Sequence, residues 1–338
     1  MIMKNFICFL IIFSIICTIS MGASKVPNLI LYVTDLNGNY DIYSIKQDGS
    51  SRKRLTDNSE GDSMPVGSPD GKYIGFISTR GGNPDIYIMK KNGTEPERLT
   101  TNQAYDYAPS FCWSGDGKKI IYETDGDGNP EIYVMTISNS KKVRLTKNNV
   151  YDGHPDWSKD GKLIVFESWI KGNNEIYTMT PEGKSLNRLT SSEDDDYFPS
   201  FAPDGRDIVF LTHHQEFADL QIISSKGYSP CVLDKKCDKE AAPKWSPDGY
   251  SILYVSREHG NKEIYRITWD RKWDRWYRVN LTDEPGEDTT PVWSPDGNKI
   301  VFASDRTGSW DIYIMNFDGS HIKNLTRSKA DDFYPFWW

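Results

Sequence analysis

The sequence contains few of the residues that usually hold metals or carry nucleophilic chemistry. Its 338 residues include 5 histidines and 5 cysteines, and their spacing does not resemble a zinc site. No GxSxG motif occurs, which argues against an α/β-hydrolase nucleophile. A catalytic metal usually needs about three converging protein ligands, and the sequence offers two at best, His213 and His214. We therefore predict neither enzymatic activity nor a cofactor.

Basic clusters and long apolar runs are also scarce. The chain has 40 Lys and Arg against 48 Asp and Glu, spread along its length, so we expect no nucleic-acid partner. The apolar run Phe6–Ile19 is shorter than the roughly 20 residues of a membrane-spanning helix. It follows basic MIMKN and precedes SMGAS, which is typical of a signal peptide. We predict a signal peptide over residues 1–24 and a periplasmic or secreted protein without a transmembrane segment after cleavage; a retained anchor is the alternative.

Export changes the interpretation of the cysteines. Once the predicted signal is removed, Cys112, Cys231 and Cys237 remain. In an oxidising compartment Cys231 and Cys237, at the two ends of CVLDKKC, would close a small loop. We predict a disulfide between them and expect Cys112, within the apolar run FCW, to be buried.

Aromatic residues, glycine and proline are plentiful, and they recur with a period. Each unit contains a proline–aromatic segment, an SPDG-like turn, an alternating apolar run, a Gly/Asn turn, a D/E-I-Y-like triplet and an RLT-like segment. These signals predict four strands joined by hairpin turns. A period near 44 residues with four strands indicates a propeller blade. The triplets open at Asp41, Asp85, Glu131, Glu175, Asp219, Glu263 and Asp311.

Seven units predict an all-β fold, a seven-bladed β-propeller of four-stranded blades. We name the strands of each unit A to D from the channel to the rim, and A is the proline–aromatic segment. The first B, C and D signals precede the first A segment, and the last A segment, FYPFWW, has no B strand after it. We therefore predict that the C-terminal strand Pro335–Trp338 pairs with the N-terminal strand Leu29–Asp35 and closes the ring. The propeller would form one domain over residues 25–338.

The succession of SPDG, alternating strand, DIYxM, DG turn and LT resembles the propeller repeat of the TolB family, from about residue 29 to 338. The resemblance implies an exported propeller that binds a protein, as TolB binds the peptidoglycan-associated lipoprotein. TolB has six blades behind an N-terminal α/β domain, whereas seven units here follow the predicted signal directly. The resemblance thus implies a stand-alone, monomeric propeller that binds a protein or peptide in the cell envelope, and membership of a Tol system stays open.

An acidic residue stands three positions before the A-strand proline in every unit, on the loop between strands D and A. A ring of carboxylates at one mouth of the channel would hold a cation or attract a basic partner segment. Alternatively, each carboxylate accepts hydrogen bonds in its own turn and stabilises the fold. The residues are Asp62, Asp106, Asp152, Asp196, Glu240, Asp288 and Asp332.

The B–C loops lie on the same face as the D–A loops and differ from unit to unit, as a specific surface on a repeated scaffold requires. Their Arg, Trp and His residues are either partner contacts or solvated turn residues. Some seven-bladed relatives resemble oligogalacturonate lyases that use a metal and histidines, so His213 and His214 also support a polysaccharide-degrading alternative. The candidates are Arg80, Trp169, His213, His214, Arg257, Arg306 and Trp310.

On the opposite face, the C–D hairpin of the sixth unit is longer than its counterparts and reads WDRKWDRWYR. Trp269, Trp273 and Trp276 with their basic neighbours would stack a sugar or bind an acidic polymer. Alternatively, the tryptophans stabilise the hairpin as cross-strand pairs.

Overall fold

The repeat units fold into antiparallel sheets in a computed structural model that describes residues 28–101, 111–126, 128–228 and 230–338. The predicted signal peptide (1–24) and Asp106 lie outside the described residues. The one helix among the described residues is a short 3-10 turn, Ile137–Asn139. None of the described helical structure is long and apolar enough to cross a membrane.

The strands follow the order predicted from the repeat. The N-terminal half contains β1 (Leu29–Thr34), β2 (Asp41–Lys46), β3 (Lys53–Arg54), β4 (Asp62–Gly67), β5 (Tyr73–Ser78), β6 (Asp85–Lys90), β7 (Glu97–Arg98), β8 (Phe111–Trp113), β9 (Lys119–Thr124), β10 (Glu131–Thr136), β11 (Lys141–Arg144), β12 (Asp152–Trp157), β13 (Ile164–Ser168), β14 (Glu175–Met179) and β15 (Asn187–Arg188). The C-terminal half contains β16 (Asp195–Phe201), β17 (Asp207–His214), β18 (Phe217–Ser224), β19 (Cys231–Cys237), β20 (Lys244–Trp245), β21 (Ser251–Ser256), β22 (Glu263–Asp270), β23 (Arg275–Asn280), β24 (Asp288–Trp293), β25 (Lys299–Ser304), β26 (Asp311–Asn316), β27 (Lys323–Asn324) and β28 (Asp332–Trp337).

Consecutive strands form four-stranded antiparallel meanders with the A strand at one edge. The second, third, fourth and seventh units are the sheets β4–β7, β8–β11, β12–β15 and β24–β27. The first unit combines both ends of the chain in the order β28-β1-β2-β3. Its register places Ile30 opposite Trp337 and Leu31 opposite Phe336. The predicted pairing of the C-terminal strand with the N-terminal strand is therefore present.

Each sheet is covered on both faces by its neighbours in the chain. The apolar core consists of clusters that each join two consecutive units, and one of them joins the seventh unit to the first. In β25, Val301 and Ala303 pack toward the first unit, whereas Ile300 and Phe302 pack toward the sixth. Both alternation phases are buried, which explains the apolar runs of the B strands.

The acidic triplet and the RLT segment recur together because they bond to each other. In the fourth unit, Thr190 Oγ1 accepts the Ile176 N–H at 2.9 Å and donates to Glu175 Oε2 at 2.5 Å. The Arg188 guanidinium pairs with Glu175 Oε1 at 2.7 Å. Glu175 is fully buried, and a buried carboxylate is tolerated only with such partners. The motif thus locks strand D onto strand C in each blade that carries it.

The SPDG-like turn is likewise stabilised by its own side-chain hydrogen bonds. In the fourth unit, Ser158 Oγ donates to Asp160 Oδ1 at 2.9 Å and accepts the Leu163 N–H at 2.9 Å. Gly161 takes a φ of 69°, which glycine adopts without strain. Hydrogen bonds from the Lys162 side chain, the Lys162 backbone and Ser158 lower the pKa of Asp160 to about 2. Serine, aspartate and glycine recur because each supplies one part of this turn.

The fifth and sixth units are not fully separate sheets, because they are joined at one point. A single bridge between Cys237 and Ser256 joins β19 to β21, so that these units share one eight-stranded sheet. Cys231 and Cys237 are both free and occupy opposite ends of β19. Six residues of extended strand separate their Cα atoms by roughly 20 Å, whereas a disulfide needs about 4.4 to 6.8 Å. The predicted disulfide is therefore not formed.

Candidate functional site

Five of the A strands bend at a bulge two residues after their acidic residue. The residue at the bulge has a positive φ of 46° to 54° although it is not glycine. The strand register shifts at each of these bulges. Bulges redirect side chains, and non-glycine residues in this conformation need local support. The bulge residues are Met64, His154, Phe198, Thr290 and Tyr334.

Two buried glutamates interrupt the repeat beside two of these bulges. Glu123 in β9 and Glu167 in β13 are each 1% exposed. Glu123 Oε2 accepts the backbone N–H of His154 at 2.9 Å, and Glu167 Oε2 accepts that of Phe198 at 2.9 Å. The other five B strands carry aliphatic residues at the equivalent position: Val33, Ile77, Leu211, Val255 and Ala303. The fold therefore does not require a carboxylate there.

The second oxygen of Glu167 organises a polar cluster. Glu167 Oε1 lies 2.9 Å from His154 Nδ1 and accepts a hydrogen bond from the Tyr151 hydroxyl at 3.1 Å. Burial alone would lower the pKa of His154, but the carboxylates of Glu167 and Glu123 raise it above its ordinary value. With Nδ1 bound to Glu167, the Nε2 atom of His154 has no hydrogen-bond partner among the described residues.

This cluster lies at a cavity of about 470 Å³ between the fourth and fifth units. Trp169 and His213, from the B–C loop regions, and Glu240, from a D–A loop, also line it, so the cavity opens on the face predicted for binding. The His154 ring packs edge-on against Phe198, with centroids 4.6 Å apart. Four aromatic side chains contribute to the wall: Tyr151, Trp169, Tyr197 and Phe198.

Two polar atoms in the cavity wall lack partners. Asn174 is only 4% exposed, and its Oδ1 is buried without a hydrogen bond to any described residue. The Nε2 atom of His213 is in the same situation. Buried polar groups are nearly always hydrogen-bonded, so these two atoms are open hydrogen-bonding positions in the wall among the described residues.

The carboxylates predicted to ring the channel mouth are mostly buried. Asp62 is fully buried, and the Arg80 guanidinium bonds both of its oxygens at 2.9 and 3.0 Å. Asp288 and Arg306 repeat this arrangement at 2.8 and 2.9 Å. Two of the predicted B–C arginines thus pair with two of the predicted acidic residues. This geometry favours the structural alternative for these positions.

The remaining acidic positions divide into buried and exposed. Asp152, Asp196 and Asp332 are at most 2% exposed. Asn148 donates to Asp152 at 2.6 Å, and Thr212 donates to Asp196 at 2.6 Å. Glu240 differs, because its side chain is 70% exposed. Within the described part of the predicted ring, only Glu240 presents its carboxylate to solvent and to the cavity.

Comparisons with known proteins agree with the fold described above. The TolB beta propeller domain family matches residues 26–123, 104–270 and 231–337. The chain belongs to the TolB β-propeller family. No curated protein sequence matches it significantly. TolB from Acinetobacter baumannii is similar in structure, with a TM-score of 0.59 and 21% identity over 92% of this chain and 67% of that chain.

Two oligogalacturonate lyases are also similar in structure to this TolB-family propeller. One, in complex with manganese, has a TM-score of 0.69 and 14% identity over 86% of each chain. The other, from Vibrio parahaemolyticus, has a TM-score of 0.70 and 13% identity over 86% of each chain. At these identities the likeness shows the fold alone.

Residues predicted on the B–C loops of this propeller have different environments. His213 and His214 both lie in β17 and face opposite sides, so His213 lines the cavity while His214 contacts Asp194 at 3.1 Å and Asp219 at 3.3 Å. Arg257 pairs with buried Asp238 at 2.7 Å. Trp310 packs on Phe333 with ring centroids 5.5 Å apart. Among the described residues, no group of three or more His, Cys, Asp or Glu side chains is arranged to hold a metal ion.

The tryptophans of the hairpin on the opposite face are not equivalent. Trp269 and Trp276 form a cross-strand pair with centroids 5.4 Å apart, and Trp276 also packs near Trp245 at 6.4 Å. These two therefore anchor the hairpin to its blade. Trp273 at the tip is 62% exposed, with the Lys272 ammonium 5.0 Å from its ring centroid. Of the three tryptophans, Trp273 is the most exposed.

Asp196, a buried residue of β16, provides a pH-dependent prediction. Burial raises the pKa of Asp196 to about 7, so the folded protein binds this proton more readily than the unfolded chain does. The stability contributed at this position is therefore highest at low pH and falls as pH rises from about 4 to 7. We expect Asp196→Asn to remove this part of the pH dependence. The free energy of unfolding of the variant, relative to that of the parent chain, should therefore be a few kcal/mol higher at neutral pH than at pH 4. Urea unfolding at both pH values checks it; an unchanged pH profile would contradict it.

The sequence patterns did not identify Tyr151, His154, Asn174 or the two glutamates as site residues. A signal for the glutamates is present, since they replace an aliphatic residue at a repeated position. The bulges carry no such signal, because their positive φ falls on ordinary residues such as His154. Side chains of neighbouring units meet at this bulge, which the period alone does not indicate.

Proposed function

We propose that this protein is an exported, monomeric, seven-bladed propeller without enzymatic activity that binds a protein or peptide on its D–A and B–C face. The observation that carries this proposal is the cavity between the fourth and fifth units. It combines aromatic walls with partnerless polar atoms at a point where the repeat is broken. A fold needs neither feature, whereas a recognition site uses aromatic anchors and a few placed polar groups.

A closed ring of seven blades is part of the proposal. Its support is the pairing of β28 with β1 and the cluster in which Ile30 and Trp337 pack against Val301 and Ile312 of the seventh unit. Closure would place β28, from the C-terminal end of the chain, in the A-strand position of the first blade. There it pairs with β1, so that the edge of β1 is not left unpaired. Closure would also hold the D–A and B–C loops in fixed positions around one mouth.

A second candidate function is the degradation of an acidic polysaccharide. The specific observation that favours it is His154, whose Nδ1 is bound to Glu167 while its Nε2 has no described partner. A histidine held in this way is suited to proton transfer. Lining by several aromatic side chains also suits sugar rings. We rank it second because the chemistry would need more converging groups than the described residues bring together.

A peptide-selection experiment tests the leading proposal. The full chain is immobilised and challenged with a displayed library of random peptides, and oligogalacturonides are offered in a separate binding and degradation assay. We expect peptides to be retained and Trp169→Ala to weaken them about tenfold or more, since aromatic anchors dominate interfaces. Trp273→Ala, also an exposed tryptophan but on the opposite face, is the matched control and should leave binding unchanged. Turnover of oligogalacturonides without any retained peptide would replace the proposal by the second candidate.

A further inference from the structure

We propose that the cavity between the fourth and fifth units takes a cationic side chain, the guanidinium or ammonium group of an arginine or lysine in the partner peptide. This inference rests on the proposed peptide-binding function and names the group that the site recognises. It draws on three independent features: the aromatic wall, the acidic surroundings and an acceptor that lacks a donor.

The aromatic wall suits a cation. The side chains of Trp169, Tyr197 and Phe198 line the same space, and Trp169 is 42% exposed. A cation over an aromatic face gains roughly 0.5 to 2 kcal/mol, and arginine gains further by stacking its planar group. The same protein already uses this contact, because Arg306 lies 5.0 Å from the ring centroid of Tyr313 and Arg271 lies 4.0 Å from that of Tyr250.

The cavity also lies in acidic surroundings. Glu193, Asp194 and Asp195 follow one another from the D–A loop of the fourth unit into β16, and Asp194 contacts His214 at 3.1 Å. The Asp195 carboxylate accepts the backbone N–H of Asn174 at 2.7 Å. Glu240 lines the cavity from the next D–A loop. Lysines offset part of this charge, since Lys239 also lines the cavity and Lys262 lies 3.3 Å from Glu240. Glu167 is already paired with His154, so the exposed carboxylate of Glu240 is the one left in the lining to attract a cationic ligand.

One buried acceptor in the cavity wall lacks a donor. Asn174 Oδ1 is buried and unpartnered among the described residues. The carboxylate of Glu167 in the same wall is already bonded to Tyr151, His154 and Phe198. A guanidinium has five N–H donors and an ammonium has three, and neither accepts a hydrogen bond. An aliphatic or aromatic ligand side chain would leave Asn174 Oδ1 unsatisfied, at a cost of about 1 to 3 kcal/mol. The donor-rich cation is therefore the class that fits the wall.

Calorimetric titration of the full chain with short capped peptides tests the inference. The probes are pentaglycine peptides whose central residue is arginine, lysine, citrulline or glutamine; citrulline keeps the shape of arginine without its charge. We expect the arginine peptide to bind about tenfold more tightly than the citrulline peptide, and added salt to reduce the difference. Equal affinities of the two peptides would overturn the inference.

Two charge-neutralising variants locate the effect. Glu240→Gln removes an exposed carboxylate that lines the cavity, and we expect it to weaken the arginine peptide by about threefold to tenfold. Glu182→Gln makes the same change on an exposed turn of the fourth unit on the opposite face and is the matched control. Equal losses in both variants would show a general charge effect and contradict a cavity site.

The outcomes also separate this inference from the proposed function. If peptides bind on this face without preferring a cation, the platform stands and the cationic inference fails. If agmatine binds as tightly as the arginine peptide, the cavity is cation-selective but the site is not a peptide platform. If only oligogalacturonides bind, both proposals fail.

Discussion

Replacing Trp338 by alanine is expected to lower the free energy of unfolding by about 4 kcal/mol, within the range for large buried aromatic residues. Trp338 is 3% exposed and packs in the cluster that contains Leu31 and Phe76. Its indole Nε1 donates to the Ser68 carbonyl at 2.9 Å. The side chain therefore joins the C-terminal end of the chain to the second unit. Urea unfolding followed by far-ultraviolet circular dichroism measures the change.

Tyr334→Ala is the matched control for this prediction. Tyr334 lies in the same strand, β28, but its side chain is 42% exposed, so its loss is expected to cost less than about 1 kcal/mol. If both substitutions had equally small effects, Trp338 would not hold the two ends of the chain together and the proposed closure would lose its main support.

Trp338 fills space that is open because one residue of the second unit departs from the repeat. At the end of their A strands, other units carry an aromatic residue, whereas the second unit carries Gly67. A Cβ atom on Gly67 would lie 2.3 Å from the Trp338 ring. We infer that glycine is required there because the tryptophan arrives from the far end of the chain. A double-mutant cycle of Gly67→Ala and Trp338→Ala should therefore give strong coupling.

The sequence predicted the fold far better than the site. Strands, turns and the pairing of the chain ends could be predicted because each depends on a local pattern that recurs, such as the SPDG turn around Asp160. The site depends on non-recurring residues that meet across units, such as Glu167 with His154 and Phe198. The disulfide prediction is wrong for a related reason: a disulfide would have to close CVLDKKC into a small loop, whereas these residues form the extended strand β19.

The second large effect is expected at Asp288, where Asp288→Asn should lower the free energy of unfolding by about 3 kcal/mol. Asp288 is fully buried, and both of its oxygens bond the Arg306 guanidinium, which is itself largely buried. An amide cannot accept both hydrogen bonds and carries no charge, so the arginine would keep its charge without a compensating partner. Thermal and urea unfolding measure the loss.

The same variant decides between the two roles considered for the acidic positions. If Asp288 only supports the fold, Asp288→Asn should bind the arginine peptide as tightly as the parent chain at temperatures where both are folded. Asp318→Asn, in an exposed turn, controls for the loss of one negative charge and should change neither stability nor binding. An Asp288→Asn protein that keeps its stability but loses the peptide would reverse our interpretation, because the buried carboxylate would then act on the ligand through the channel mouth. The burial of Asp288 argues for the first outcome, since its carboxylate is fully buried with both oxygens bonded to Arg306 Nη2 and is not presented to a ligand in solvent.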